Sequence, residues 1–396
     1  MAMRKFLLAL AIAACCTACQ KPDWGTTWAT ALQIAEPHNR PPQPGLAGNS
    51  FRQIVQVSVG GTELRLHLSN IFNTDSTQIL GVEVARAATM GASPDIVEGT
   101  SVELTFGGSR AFTMEAGGEA VSDPVPFALA DRDNLAITIH YGYISAETIT
   151  SHPGSRTSSY IAEGFTSDFS APAAITAHWY TISSIDVLPL KPSAAVAVLG
   201  DSITDGRGTT TNGQDRWTDQ LSHSLLANGM NISVLNFGLG GNCILRGGLG
   251  PTGKSRYARD LFGHNGVKYI ILFEGTNDLG GSRDGVATAE QIKAVFRDII
   301  REAHSRGIKV YGATVTSAVG SFYQRQGEHE KGRQALNTWI RESGEFDGVI
   351  DFDKITAGPD DPSRINPAFL FENDWLHLNA DGYALMGGSI DRSLFY

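Results

Sequence analysis

Four short blocks of the 396-residue chain carry the residue types that acyl transfer needs. Gly200-Asp201-Ser202-Ile203 offers a hydroxyl and Asn236-Phe237-Gly238-Leu239-Gly240-Gly241 an exposed glycine amide. Gly275-Thr276-Asn277-Asp278 offers a carboxamide, and Asp374-Trp375-Leu376-His377 an Asp/His pair. Serine is a poor nucleophile at neutral pH and needs a neighbouring base to take its proton. His377 can be that base. Asp374, three residues earlier, can reach the ring to fix its tautomer and stabilise the imidazolium. The tetrahedral intermediate carries an oxyanion that preorganised donors must meet. The backbone N–H of Ser202, the N–H of Gly241 and the side-chain amide of Asn277 are the candidates. Glycine at 241 leaves the backbone open to close approach. Asp201 and Asp278 are read as turn-orienting residues without chemistry.

These blocks need a scaffold that brings them to one edge. From Ser193 onward, apolar runs alternate with amphipathic helical patterns. Strands are expected at Ala194 to Leu199, Ser233 to Leu235, Val267 to Phe273, Lys309 to Val315 and Gly348 to Phe352. Helices are expected at Arg216 to Ala227, Ala289 to Ser305 and Arg333 to Ser343. Five strands separated by helices imply an α/β fold with a doubly wound parallel sheet, whose sites form beyond the carboxyl ends of the strands. Residues 25–190 read differently, as short alternating strands punctuated by glycine turns. Phe51 to Val59 and Glu63 to Leu68, separated by Gly60-Gly61, suggest a hairpin with one buried face. Several such strands with no convincing helix imply a jelly-roll-like β-sandwich. Pro189 and Pro192 mark a boundary, so 25–190 is expected to be an accessory unit separable from a catalytic domain at 193–396.

Composition narrows the function classes. With 42% hydrophobic and 18% charged residues, intrinsic disorder is excluded. Thirty-one basic against 41 acidic residues give a net charge of −10, which argues against nucleic acid as a partner. Residues 1–19 read as a signal peptide and lipoprotein-processing region, with Cys15 the expected lipidated residue and Cys19 the alternative. Export from a bacterial cell follows, to the periplasm, the outer membrane or the exterior, with membrane contact only through that lipid. Cys243 is the one cysteine beyond this region, so no internal disulfide is expected. Gly248 to Ser255 fits the P-loop pattern but lacks a strand immediately before it. The Gly238 stretch has Cys243 where a dinucleotide fingerprint needs glycine. Ser202 is also outside any Gly-x-Ser-x-Gly elbow.

Together, Gly-Asp-Ser-Ile, Asn-x-Gly-x-x-Gly, Gly-Thr-Asn-Asp and Asp-x-x-His resemble the blocks of the SGNH (GDSL-type) hydrolase superfamily over roughly residues 194 to 390. The resemblance implies a flavodoxin-like sheet, with Ser202, Gly241, Asn277 and His377 in the four invariant roles and Asp374 completing the triad. It further implies esterase, lipase or carbohydrate deacetylase activity with no cofactor and no metal. The whole chain also resembles secreted bacterial GDSL-type proteins with a β-rich domain before the catalytic one. The expected reaction is ester hydrolysis through an acyl-enzyme, first of all on short acyl (acetyl) groups carried by a polysaccharide. A lipase or general short-chain carboxylesterase is the enzymatic alternative. A non-catalytic, glycan-binding surface lipoprotein is the alternative of another class.

Overall fold

The computed structural model describes residues 23–323 and 325–396, so the processing region with Cys15 and Cys19 lies outside the described residues. Unbroken apolar runs fold as strands covered on both faces. Five of them form one sheet: Ala194–Gly200, Ile232–Gly238, Val267–Phe273, Lys309–Ala313 and Gly348–Ile350. All pairings are parallel, and the spatial order is second, first, third, fourth, fifth. That is the flavodoxin-like order, which reverses at the first strand. Successive side chains of Ala194–Gly200 serve two cores. Ala195, Ala197 and Leu199 pack with Phe296 and Leu336, while Val196 and Val198 pack with Trp217 and Tyr383. Helices Trp217–Ala227, Gly285–Ser305 and Gln326–Glu342 cover the sheet. A further helix, Gly253–Phe262, was not legible in the pattern and opens inside the P-loop-like run. The preceding strand ends at Gly238, so no strand feeds that run.

The N-terminal half is antiparallel, with two main layers around a large core, a small third sheet of Gln33–Ile34, Thr150–His152 and Trp179–Tyr180, and a separate cluster of Tyr160, Ala162 and Phe169. One sheet holds Gly25–Ala29, Ile182–Val187, Gly61–Ser69, Glu119–Val121 and Val125–Leu129. The other centres on Ser50–Gln56, Asn134–Tyr141 and Thr77–Arg86. The expected hairpin is not formed: Ser50–Gln56 and Gly61–Ser69 belong to opposite sheets. Alternation marked one buried face on Gly61–Ser69, but Ser50–Gln56 is buried on both faces, and the two strands meet across the core instead of lying side by side. Phe51 and Val55 come from one layer, Leu64, Leu66 and Leu68 from the other.

The two halves interlock. Ala29 and Ala31, at the end of the first strand, lie in the same core as Leu235, Phe237 and Leu239 of the parallel sheet. Thr30 bridges to Asn236, and the Val234 N–H donates to Ser58 Oγ at 3.2 Å. Thr26 and Asn265 exchange two hydrogen bonds, of 3.1 and 2.9 Å. This covers the open edge of the parallel sheet, which would otherwise present unpaired backbone groups. A fragment beginning near Ser193 uncovers that edge and part of that core. It is expected to be poorly soluble and to lose turnover of a small soluble ester. A monodisperse fragment with native-like near-UV circular dichroism and full turnover would show the sandwich to be dispensable.

Candidate active site

Ser202 is the first residue of the short helix Ser202–Asp205, immediately beyond the strand that ends at Gly200. Asp201 caps that helix by accepting the Ile203 N–H at 2.9 Å. Ser202 Oγ lies 2.8 Å from His377 Nε2, and His377 Nδ1 lies 2.6 Å from Asp374 Oδ2. The remaining Asp374 oxygen accepts the N–H groups of Leu376 and His377, at 2.9 and 2.8 Å. These contacts hold Trp375 at φ 57°, a backbone conformation bulky residues rarely adopt. Burial pushes the Asp374 carboxyl up, but the bonds from His377 and Leu376 outweigh it and hold the group below its ordinary value. An ionised carboxylate only accepts, so His377 Nδ1 carries the proton and Nε2 is left to accept the Ser202 O–H. That is the polarity a serine nucleophile requires.

Asn277 lies across the site in the short helix Thr276–Gly280. Its amide is fixed at both ends. Nδ2 donates to the Asn242 carbonyl at 2.8 Å, and Oδ1 accepts the Tyr323 hydroxyl at 2.7 Å. One Nδ2 proton is left for a ligand. Tyr323 was not singled out from sequence, although Gly280 beside Asn277 carried a signal. A methyl there would lie 2.1 Å from the Tyr323 ring, so only glycine admits the contact. Gly241 precedes Asn242 at φ 68°, which favours glycine, and its carbonyl accepts the Leu249 N–H at 2.9 Å. No acceptor among the described residues takes the N–H of Ser202 or of Gly241. The structure therefore joins Ser202, His377 and Asp374 directly, and joins Asn277 to the Gly241 turn through Asn242.

Beneath the site lies Arg256, also missed from sequence. Its guanidinium donates to the carbonyls of Gly200 (3.0 Å) and Phe237 (2.7 Å) and to Asn242 Oδ1 (3.0 and 3.1 Å), and pairs with Asp260 at 2.8 Å. Three further carboxyls surround it or the turns nearby. Burial, with the charges of Asp278 and Asp205, lifts Asp201 well above its ordinary value. Burial and Asp201 do the same to Glu274. Burial raises Asp278 to about 6, against the N–H groups of Ile244 and Leu245 that it accepts.

Asp205, three residues after Ser202, faces the sandwich. His152 Nε2 lies 3.0 Å from its Oδ1 and Arg156 3.4 Å from its Oδ2. A methyl on Gly154 would lie 2.0 Å from that carboxylate, so the N-terminal half is cut to receive it.

A second Ser/His/carboxylate set, Ser50, His140 and Glu83, lies in the sandwich with contacts of 2.7 and 3.3 Å. Its polarity is reversed. Ser50 donates its one proton to the Gly164 carbonyl at 2.7 Å and accepts the Thr166 N–H, so His140 Nδ1 must donate to it. Phe165 stacks on the imidazole at 4.1 Å, and Ser50 is fully buried. That set anchors a loop. Among the described residues no group of three His, Cys, Asp or Glu is placed to hold a metal ion, and no helix is long and apolar enough to cross a membrane.

Residues 198–385, which include all five candidate residues, match the model of the GDSL-like lipase/acylhydrolase family. No curated protein matches the chain. Among solved structures, the chain is similar to a lipase/acylhydrolase from Enterococcus faecalis. Identity is 22%, covering 49% of this chain and 92% of that one, with a TM-score of 0.38. It is also similar to a GDSL-like lipase from Bacteroides thetaiotaomicron (18%, 51% and 87%, 0.38). A carbohydrate acetylesterase family member from Sinorhizobium meliloti gives 19%, 49% and 94%, and 0.38.

Two expectations follow from this geometry. Tyr323→Phe keeps the ring and deletes the bond that orients Asn277. Turnover of a small ester should fall roughly three- to tenfold in kcat with little change in KM; an unchanged kcat would remove Tyr323 from the machinery. Asp201→Asn keeps the capping oxygen and removes a carboxyl whose folded pKa is raised. An unfolded aspartate titrates near ~3.9. The wild-type group therefore contributes its stability below that value and loses it as pH rises towards the folded value. The difference in Tm should shift in favour of the variant as pH rises from ~4 to neutrality, and a gap independent of pH would contradict the raised value.

Proposed function

Starting from a chain that carries a GDSL-like lipase/acylhydrolase domain over residues 198–385 and hydrolyses ester bonds, we propose that Ser202 is its nucleophile and that the reaction passes through an acyl-enzyme. The observation that carries this is the hydrogen-bonded series Ser202–His377–Asp374, at 2.8 and 2.6 Å. Ser202 Oγ attacks the ester carbonyl while His377 Nε2 takes its proton, and Asp374 stabilises the imidazolium that forms. The oxyanion is met by the N–H groups of Ser202 and Gly241 and by the free proton of Asn277 Nδ2. His377 then gives its proton to the departing alkoxide. In the second half it takes a proton from water, which attacks the acyl-serine and frees the acid.

For the substrate we propose short acyl groups, acetyl first, on a carbohydrate. A long acyl chain needs an apolar channel to cover it. The cleft that Asn277 borders is instead walled by Arg246, Ser282, Arg283, Asp284, Thr288 and Gln291. Such walls suit hydroxyl-rich groups. Beside His377, Trp375 borders a second open groove with Asn366 and Arg364, whose guanidinium lies over the indole at 5.2 Å.

Chromogenic esters of rising acyl length test both parts. Acetate should give the highest kcat/KM, with a steep fall for chains of eight carbons and more; a rise with length would favour lipase action. On acetate, Ser202→Ala should lower turnover by roughly 10⁴-fold or more, and Asn277→Ala by roughly 10²–10³ in kcat. Near-wild-type activity of a folded Ser202→Ala protein would remove Ser202 from the reaction.

A further inference from the structure

The cleft beside Asn277 has a volume of about 520 Å³, within the ~300–1,000 Å³ of small-molecule sites. An acetyl group fills little of it. Under the esterase reading, the cleft therefore receives a part of the substrate beyond the ester itself. In a glycan, that part is a neighbouring sugar residue.

The charges on its walls define what that residue carries. Two guanidiniums, Arg246 and Arg283, and two carboxylates, Asp278 and Asp284, face the cleft. Both carboxylates already serve backbone N–H groups. Asp278 accepts from Ile244 and Leu245 at 2.8 and 3.0 Å, and Asp284 caps the following helix through Ala287 at 3.0 Å. Arg246 lies near enough to Asp278 to favour its ionised form but does not pair with it. Neither Arg246 nor Arg283 has a hydrogen-bond or ion-pair partner among the described residues, and both are exposed. Several other exposed arginines of this half are paired, as Arg297 is with Glu345 and Arg306 with Glu302, whereas Arg207 and Arg325 also lack such a partner but do not line this cleft.

A guanidinium presents a planar fork of donors that matches carboxylate and phosphate oxygens. The whole chain carries −10, so attraction of an anion has to be local, over about one screening length of ~10 Å at 0.1 M salt. We infer that Arg246 and Arg283 form a subsite for an anionic group, the carboxylate or phosphate of a sugar residue next to the acylated one; this rests on the esterase reading above. The enzyme then selects acylated anionic glycans over neutral ones. Asn277, at the mouth of the same cleft, places that selection beside the oxyanion.

The test compares the wild-type protein with the Arg246→Gln, Arg283→Gln double variant. The substrates are an O-acetylated uronic-acid oligosaccharide, the same oligosaccharide with its carboxyls reduced to alcohols, and an O-acetylated sugar phosphate with its dephosphorylated counterpart. Wild type should prefer at least one charged substrate over its neutral partner by roughly tenfold or more in kcat/KM. Whichever of the two is preferred identifies the anion. The preference should fall towards unity in the double variant and in ~1 M salt. Equal kcat/KM within both pairs for the wild type, or a preference that survives the double substitution, overturns the subsite. Wild-type turnover of p-nitrophenyl acetate and its loss in Ser202→Ala read the premise separately: no wild-type turnover there defeats the esterase reading, and retained turnover in the variant removes Ser202, whatever the arginines do.

Discussion

The site depends on one buried guanidinium. Arg256 bonds the carbonyls of Gly200 and Phe237, where two neighbouring parallel strands end, and the side chain of Asn242 in the turn beyond. The Gly200 carbonyl also accepts the Leu239 N–H at 3.1 Å, and a buried carbonyl left unpaired at a strand end costs about 1–3 kcal/mol. A single planar donor set bonds both carbonyls and fixes their spacing. Ser202 follows Gly200 by two residues, Gly241 precedes Asn242, and the Asn242 carbonyl holds Asn277. Ser202, Gly241 and Asn277 are thus indexed to one cation. Asp260, at 2.8 Å, is what makes its burial tolerable.

The N-terminal half completes the positioning from the other side. The helix that starts at Ser202 is only four residues long and has little stability of its own. Its last residue, Asp205, is gripped by His152 and Arg156, and the Asp205 carbonyl accepts Arg216 Nε at 3.1 Å. Burial raises the Asp205 carboxyl, but His152, Arg156 and Arg216 outweigh it and hold the group below its ordinary value. It therefore stays ionised as the anchor of this clasp. The β-layer is thus joined to the segment that holds Ser202.

Much of this was legible in the sequence because the relevant signals are local. Continuous apolar runs marked the parallel strands, and three of the four chemical blocks sat at the end of one, whereas Asp374 lies 24 residues past the last strand. Asp374 and His377 are three residues apart, so their pairing needed no knowledge of the fold. The hairpin failed for a physical reason: alternation reports that one face is buried and is silent about which strand lies beside it. Arg256, Tyr323 and the His152–Asp205 contact were illegible because their partners are distant in sequence. The helix that carries Arg256 is polar enough to read as surface. The close approaches did leave traces, as glycines at 154 and 280 whose purpose appears only once the opposing side chains are in place.

The central claim is that Ser202, and not the similar-looking Ser50, is the activated hydroxyl. A small fluorophosphonate, which esterifies only activated serines, tests it most directly when intact mass and peptide mapping are followed alongside ester turnover. The account predicts a single adduct on the peptide containing Ser202, accumulating in step with the loss of activity. An adduct on Ser50, or full activity with no adduct at Ser202, would contradict it.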